Sequence, residues 1–453
     1  MGDGREGKLA LWQVMARVID QGSRLSAVRL AGQHAICDLI NLDKFDEDDL
    51  YENLDWLSDH QREIEKELFE LRYEGKVKPK LYLYDVTSSY LEGTHNALAD
   101  WGYNRDKKRG KMQIVIGLLT DEQGDPVSVE VFKGNTNDLK TFFSQVKKLA
   151  YEFGIEEVTM VGDRGMIKSG QIKELKEHQF HYITALTKPQ IETLLEKDIL
   201  QMELFDENLC EVQQEDVRYI LRRNPMRVDE IEHNRQSKIR KIKSKIAEQN
   251  QYIQEHPRAK VETGGKKINQ LIGKLKLKDF LMAEIQARSL SLRVDSDKQI
   301  ETALLDGCYV IKTDVTKELA SSEIVHQRYK DLAMVEQGFR TMKTGLLETR
   351  PIYVRKEKRT RGHVFVVMLA YCIFRELKKL WKNIDVTVEE GMNELNTVCS
   401  IEISIKGAFC RHIPQPRELA QKLFKASDVV LPEVLPCRGV TVATRRKLIH
   451  QRK

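Results

Sequence analysis

"KLYLYDVTSSYLEG", residues 80–93, places a carboxylate in the middle of a strand. Its aromatic and branched residues read as β. Asp85 interrupts the apolar run "LYLYDV", and an acid there costs several kcal/mol to bury without a partner. It calls for a cation or a donor.

The segments that follow make this strand the first of a sheet. "QIVIGLLTDEQGDPVSVEVFKG" reads as two apolar strands around a hairpin turn. "DLKTFFSQVKKLAYEFG" reads as an amphipathic helix ending at Gly154, "EVTMVGDRG" as a short buried strand, "SGQIKELKEHQ" as a helix and "FHYITAL" as another strand. The order β-β-β-α-β-α-β predicts an α/β fold built on one mixed sheet. Asp163 closes the apolar strand "VTMVGD", a second acid at a strand end.

A third acid lies far along the chain, in "YKDLAMVEQGFRTMK" (329–343). On one helical wheel with Glu336 at zero, Lys343 falls at about −20°, Tyr329 at about +20° and Arg340 at about +40°. Leu332, Val335, Phe339, Met342 and Leu346 form an apolar stripe beside them, between about −40° and −120°. That stripe packs on the sheet and holds the polar one at a rigid address. If the strands of Asp85 and Asp163 are neighbours and this helix crosses them, three carboxylates converge. Hard oxygen ligands of this kind suit Mg²⁺ or Mn²⁺. Two such ions can drive an in-line phosphodiester displacement, with Tyr329, Arg340 and Lys343 holding phosphates and Arg164 a further candidate. Taken singly, each acid has a plainer alternative: a cap or turn for Asp85, an Asx turn or an Arg164 pair for Asp163, and a solvated charge ladder for Glu336.

The chain has 453 residues, 41% hydrophobic and 32% charged, as in globular proteins. The longest apolar run, "VFVVMLAYCIF", has 11 residues and is too short for a bilayer; it reads as a buried helix. No apolar signal segment opens the sequence, and seven scattered cysteines without a CxxC pair fit a reducing, cytoplasmic compartment. Residues 218–278 hold 17 Lys/Arg against 6 Asp/Glu, a net of +11 in a chain whose total is +5. Such a block suits a polyanion or, as well, a solvated helical hairpin. It reads as a long helix over 226–256 and a returning helix in "KKINQLIGKLKLKDFLMAEIQ". Arg355, Lys356, Lys358, Arg359 and Arg361 form a second basic stretch. His363 reads as a capping or core histidine, and Lys133 and Asn135 as turn residues.

These residues resemble the DDE transposases of bacterial insertion sequences, in the subgroup with a Tyr-x2-Arg-x3-Glu-x6-Lys signature. Tyr329, Glu336 and Lys343 stand at its spacings, and Leu332 takes the arginine position. "YDVTSSYLEG" and "VGDRGM" are similar to the family's two aspartate segments. The resemblance covers about residues 80–410. It implies an RNase H-like mixed sheet flanked by helices and interrupted by a mostly helical insertion, with Asp85, Asp163 and Glu336 as catalytic metal ligands for two Mg²⁺ or Mn²⁺ ions. It also implies cleavage of double-stranded DNA at terminal inverted repeats, joining of the 3′-OH to target DNA, a homodimer in the synaptic complex and association with the bacterial nucleoid. The expected divisions are an N-terminal helical region at 1–76 (a shortened DNA-binding domain), the catalytic core at 77–190 and 301–409, the insertion with its basic hairpin at 191–300, and a basic C-terminal region at 410–453. A stand-alone nuclease of the same fold and a DNA-binding relic without activity are the rival readings.

Overall fold

The computed structural model describes residues 2–164, 166–406 and 408–436, with positions 440, 442 and 444. The closing basic run "TRRKLIHQRK" lies, but for its first residue, outside the described residues. The chain divides into two compact units, 1–183 with 327–453, and 184–326.

The first unit is built on strands β1 (Leu81–Tyr90), β2 (Gln113–Asp121), β3 (Pro126–Lys133), β4 (Thr159–Gly162) and β5 (His181–Ala185), whose end runs into the second unit. Their order is β3-β2-β1-β4-β5. β1, β2 and β3 pair antiparallel, and β4 lies parallel to β1, the RNase H-like arrangement. The β2–β3 turn forms because Asp121 Oδ1 accepts from the Gln123 and Asp125 N–H groups, both at 2.9 Å, while Gly124 takes a φ of +79°. Strand alternation sorts β1 into two faces. Tyr82, Tyr84 and Val86 enter a core with Phe142, Val146 and Leu149, and Asp85 and Thr87 face a cavity on the other side.

The helix Glu357–Leu380 carries the long apolar run and is buried from Val364 to Tyr371. The N-terminal helices pack on it. Helix Glu47–Asp59 opens with a capping box between Asp46 and Asp49. A Cβ at Gly362 would lie 2.1 Å from the Leu54 carbonyl oxygen, so the two helices meet backbone to backbone there.

The second unit holds β6 (Cys210–Gln214), β7 (Val217–Arg223), β8 (Leu281–Gln286), β9 (Ser289–Val294) and β10 (Cys308–Thr313). β10, β7 and β6 pair in that order, antiparallel. Helices Pro225–Glu255 and Val261–Lys274 close on a core of Ile239, Ile242, Ile246, Ile268 and Ile272. Lys238, Arg240, Lys241, Lys243 and Lys245 all point to solvent, so the basic block is an exposed face. The returning helix is shorter than its sequence suggests. Lys276 takes a φ of +58°, which ends the helix, and "LMAEIQ" pairs with "SLSLRV" as β8 and β9. Leu281 and Ala283 are buried in alternation, and Asn269 Oδ1 accepts from the Ala283 N–H at 2.9 Å, tying the hairpin to the helix.

Candidate active site

Parallel pairing runs from Leu81 opposite Thr159 to Tyr84 opposite Gly162. Asp85 is the next residue along β1 and Asp163 the first residue after β4, so two acids 78 positions apart emerge side by side. Asp163 takes no part in the strand pairing and begins a turn closed by the Met166 N–H on its carbonyl at 3.0 Å. The condition set by the sequence, that the two strands be neighbours, holds.

The signature segment is two helices, Ser322–Lys330 and Leu332–Lys343, broken at Asp331. The Met334 N–H bonds to the Asp331 carbonyl three residues back, a tightened turn in place of a continuous helix. Tyr329 and Glu336 nevertheless reach one place. The Tyr329 hydroxyl donates to Asp163 Oδ1 at 3.3 Å, while Glu336 lines the same cavity as Asp85 and Asp163. That cavity has a volume of about 560 Å³, and Arg164, Arg340 and Lys343 also line it. The apolar stripe does its expected work: Val335, Phe339 and Met342 are buried, and so is Leu332. The side chain at the signature's arginine position thus lies in the core and offers no donor.

Electrostatics ties the three acids together. Burial pushes the Asp85 carboxyl up to about 7, and the charges of Asp163 and Glu336 add to the rise against the Val86 N–H and Arg105. Tyr329 is pushed above its ordinary value by burial and by Asp163, so it stays a hydroxyl donor. Among the described residues, no three His, Cys, Asp or Glu side chains form a group that could hold a metal ion as they stand. Asp163 Oδ1 accepts from the Arg164 N–H at 2.6 Å as well as from Tyr329, while Glu336 is exposed.

Residues 77–373, about two thirds of the chain, match the sequence model of the transposase DDE domain. The chain belongs to that family. Comparison with curated proteins finds no match. Among solved structures, the piggyBac transposase synaptic complex with hairpin DNA is similar at 8% identity and a TM-score of 0.42, over 86% of this chain and 70% of that one. The Mos1 transposase paired-end complex with left transposon end is similar at 10% identity and a TM-score of 0.17, over 36% of this chain and 58% of that one.

Lys343 holds a different place in this transposase from the open stripe expected of it. Its ammonium donates to Ser88 O at 2.7 Å and Thr87 Oγ1 at 3.0 Å and pairs with Asp106 Oδ1 at 2.6 Å. Three donors meet three acceptors. The lysine staples the signature helix to β1 two residues beyond Asp85. Asp106, its carboxylate 1% exposed, also pairs with Arg350 and accepts from the Tyr90 N–H at 3.2 Å. Arg105 forks onto Asp138 at 2.8 and 2.9 Å, and both line the cavity. Sequence reading misses these three residues because they sit in the irregular stretch between β1 and β2 or at a helix start. The one available hint is an acid within the cationic run "RDKKRGK".

Other expected residues lie elsewhere. Lys133 pairs with Asp100 at 3.2 Å. His363 is a core histidine, 7% exposed. Lys358 and Arg359 pair with Asp59 and Asp55 on helix Glu47–Asp59.

The raised Asp85 carboxyl has a consequence for stability. The folded chain holds its proton to higher pH than the unfolded chain does, so stability is lost as pH rises from about 4 through about 7. Asp85→Asn removes this titration. In metal-free buffer, the melting temperature of the wild type is expected to fall relative to Asp85→Asn over that window; parallel curves would refute it.

Proposed function

We propose that the transposase cuts and joins DNA at this cavity, with Asp85, Asp163 and Glu336 holding two divalent ions, Mg²⁺ or Mn²⁺. The observation that carries the reading is Asp85 on β1 beside Asp163 at the end of the parallel strand β4, with Glu336 lining the same cavity. The donor set fits hard divalent cations: three carboxylates, with neither cysteine nor histidine lining the site among the described residues. Bound ions of this kind supply a water or 3′-hydroxyl nucleophile at neutral pH and neutralise the leaving oxygen.

The remaining work belongs to the chain's own groups. Asp85 must give up its proton to become a ligand, so ion binding weakens as pH falls below about 7. Tyr329 holds the Asp163 carboxylate in one orientation. Arg340 and Arg164, exposed at the cavity, are the phosphate contacts. Lys343 positions the helix that carries Glu336, and it can reach phosphate only by exchanging one of its three partners. The DNA is read as terminal inverted repeats and a target, brought together by a homodimer, as the resemblance implies. The exposed basic hairpin of the second unit supports a further contact with the phosphate backbone.

The test is cleavage of a supercoiled plasmid carrying the repeats that flank the gene. Nicking or linearisation is expected with Mg²⁺ and none with excess EDTA. Binding without cleavage under any divalent ion would favour the relic, and cutting indifferent to the repeats would favour a stand-alone nuclease.

A further inference from the structure

Arg350 lines a second cavity of about 360 Å³ as well as the catalytic one. Two guanidiniums form part of its wall: Arg17 on helix Arg5–Ile19, and Arg24, the first residue of helix Arg24–Ala31. Each is only 5% exposed. Arg17 Nη1 donates to Gln21 O at 2.6 Å, while its Nε is buried with no acceptor. Arg24 Nη2 donates to His363 Nδ1 at 2.9 Å, a nitrogen that accepts only in a neutral ring. Burial and the two arginines hold that ring well below its ordinary value. Burial and Arg17 likewise push Arg24 down to about 9.

The pair has no contact counter-ion: Glu348 and Asp20 act on Arg17 only from beyond salt-bridge distance, and no carboxylate acts on Arg24 among its leading influences. Among the described residues neither guanidinium is in an ion pair, and the one carboxylate lining the cavity, Glu348, is exposed. Buried charges in folded proteins are paired, and two adjacent unpaired cations repel as well as lose hydration. The apolar core of the N-terminal helices is built from other residues, among them Leu9, Trp12, Val28 and Leu50. Forked donors facing one small cavity match a tetrahedral oxyanion. Ser23, whose side chain caps helix Arg24–Ala31 by accepting from the Ser26 N–H at 3.2 Å, and Tyr51 supply further polar atoms to its lining.

We infer that this cavity is a phosphate subsite, in which Arg17 and Arg24 hold a backbone phosphate of the DNA strand that runs past the catalytic cavity. The DNA origin of the phosphate rests on the transposase reading; the affinity for phosphate does not. Arg350, ion-paired with Asp106 in one cavity and facing the other, makes the two sites neighbours.

The deciding variant is Ser23→Asp. Aspartate caps a helix as well as serine does, and it brings the missing anion beside Arg24. Inorganic phosphate is expected to raise the melting temperature of the full-length wild type and to leave Ser23→Asp unmoved. With a duplex of the repeat end, replacing single phosphates by methylphosphonate is expected to find a position, within a few nucleotides of the cut, that weakens wild-type binding about tenfold. The same duplex should bind Ser23→Asp no worse than the unmodified one, and the salt slope of that variant should fall by about 1. Arg17→Gln gives a second reading with the same expected losses. A folded Ser23→Asp with an undiminished phosphate response overturns the subsite. Methylphosphonate profiles that coincide for the two proteins overturn the DNA assignment, even where inorganic phosphate still binds. Failure of Mg²⁺-dependent cleavage in the wild type would strike the transposase reading and leave the phosphate response to stand or fall alone.

Discussion

Glu336→Gln is expected to lower the rate of Mg²⁺-dependent plasmid cleavage by roughly a thousandfold or more while leaving DNA binding nearly intact. Glutamine keeps the size and exposure of the side chain and removes the charge that a divalent ion needs. Glu336 is exposed at the cavity and outside the core, so the fold is not at stake. Asp85→Asn should do the same, and the double variant should be little worse than either single one, because ligands of one site act as a unit. Single-turnover cleavage of repeat DNA with binding measured in parallel checks this. Retention of more than about a tenth of the activity in Glu336→Gln would remove it from the ligand set.

Asp106→Asn is expected to destabilise the transposase by about 3 kcal/mol or more, a larger effect on folding than at any of the three acids. The change is nearly isosteric, but it strips the shared counter-ion from Lys343 and Arg350 at a carboxylate 1% exposed. Breaking a buried pair costs most through the charge left behind. Adding Lys343→Met should therefore recover part of the loss, and the two changes should be strongly non-additive in a urea-denaturation cycle. The same cycle separates two roles for Lys343. A staple predicts a stability loss for Lys343→Met alone; a pure phosphate clamp predicts normal stability and weaker DNA binding. A loss below about 1 kcal/mol for Asp106→Asn would show that the network is solvated and that Lys343 is free to leave it.

How far the site can be read from sequence differs residue by residue. Asp85 and Asp163 are conspicuous because carboxylates in apolar strands violate the local pattern, and a violation marks a special demand. Glu336 stands out only through its spacing to Tyr329 and Lys343. The wheel treats 329–343 as one helix, whereas the chain breaks at Asp331, so the contact of Tyr329 with Asp163 depends on how the two short helices are set. Lys343 looks like one more cation on a polar stripe. Its burial follows from a loop carboxylate 237 positions away, which no periodicity records. The returning helix of the basic hairpin misleads for the opposite reason: "LMAEIQ" has residues that suit either state, and Asn269 with the facing strand "SLSLRV" settles it as β.

By itself, then, the sequence determined the strand-and-helix order, the two misplaced aspartates, the spacing that singles out Glu336, and a basic face on the long helix, since all of these are short-range patterns of side-chain type. Only the tertiary structure decided which cations are spent inside the protein and which stay available. Lys343 is consumed by Ser88, Thr87 and Asp106, whereas Arg17 and Arg24 are buried with no salt bridge among the described residues. A charge is defined by its residue, but its energy depends on the water it has lost and the partners it meets, and both are set by chain segments far apart in sequence.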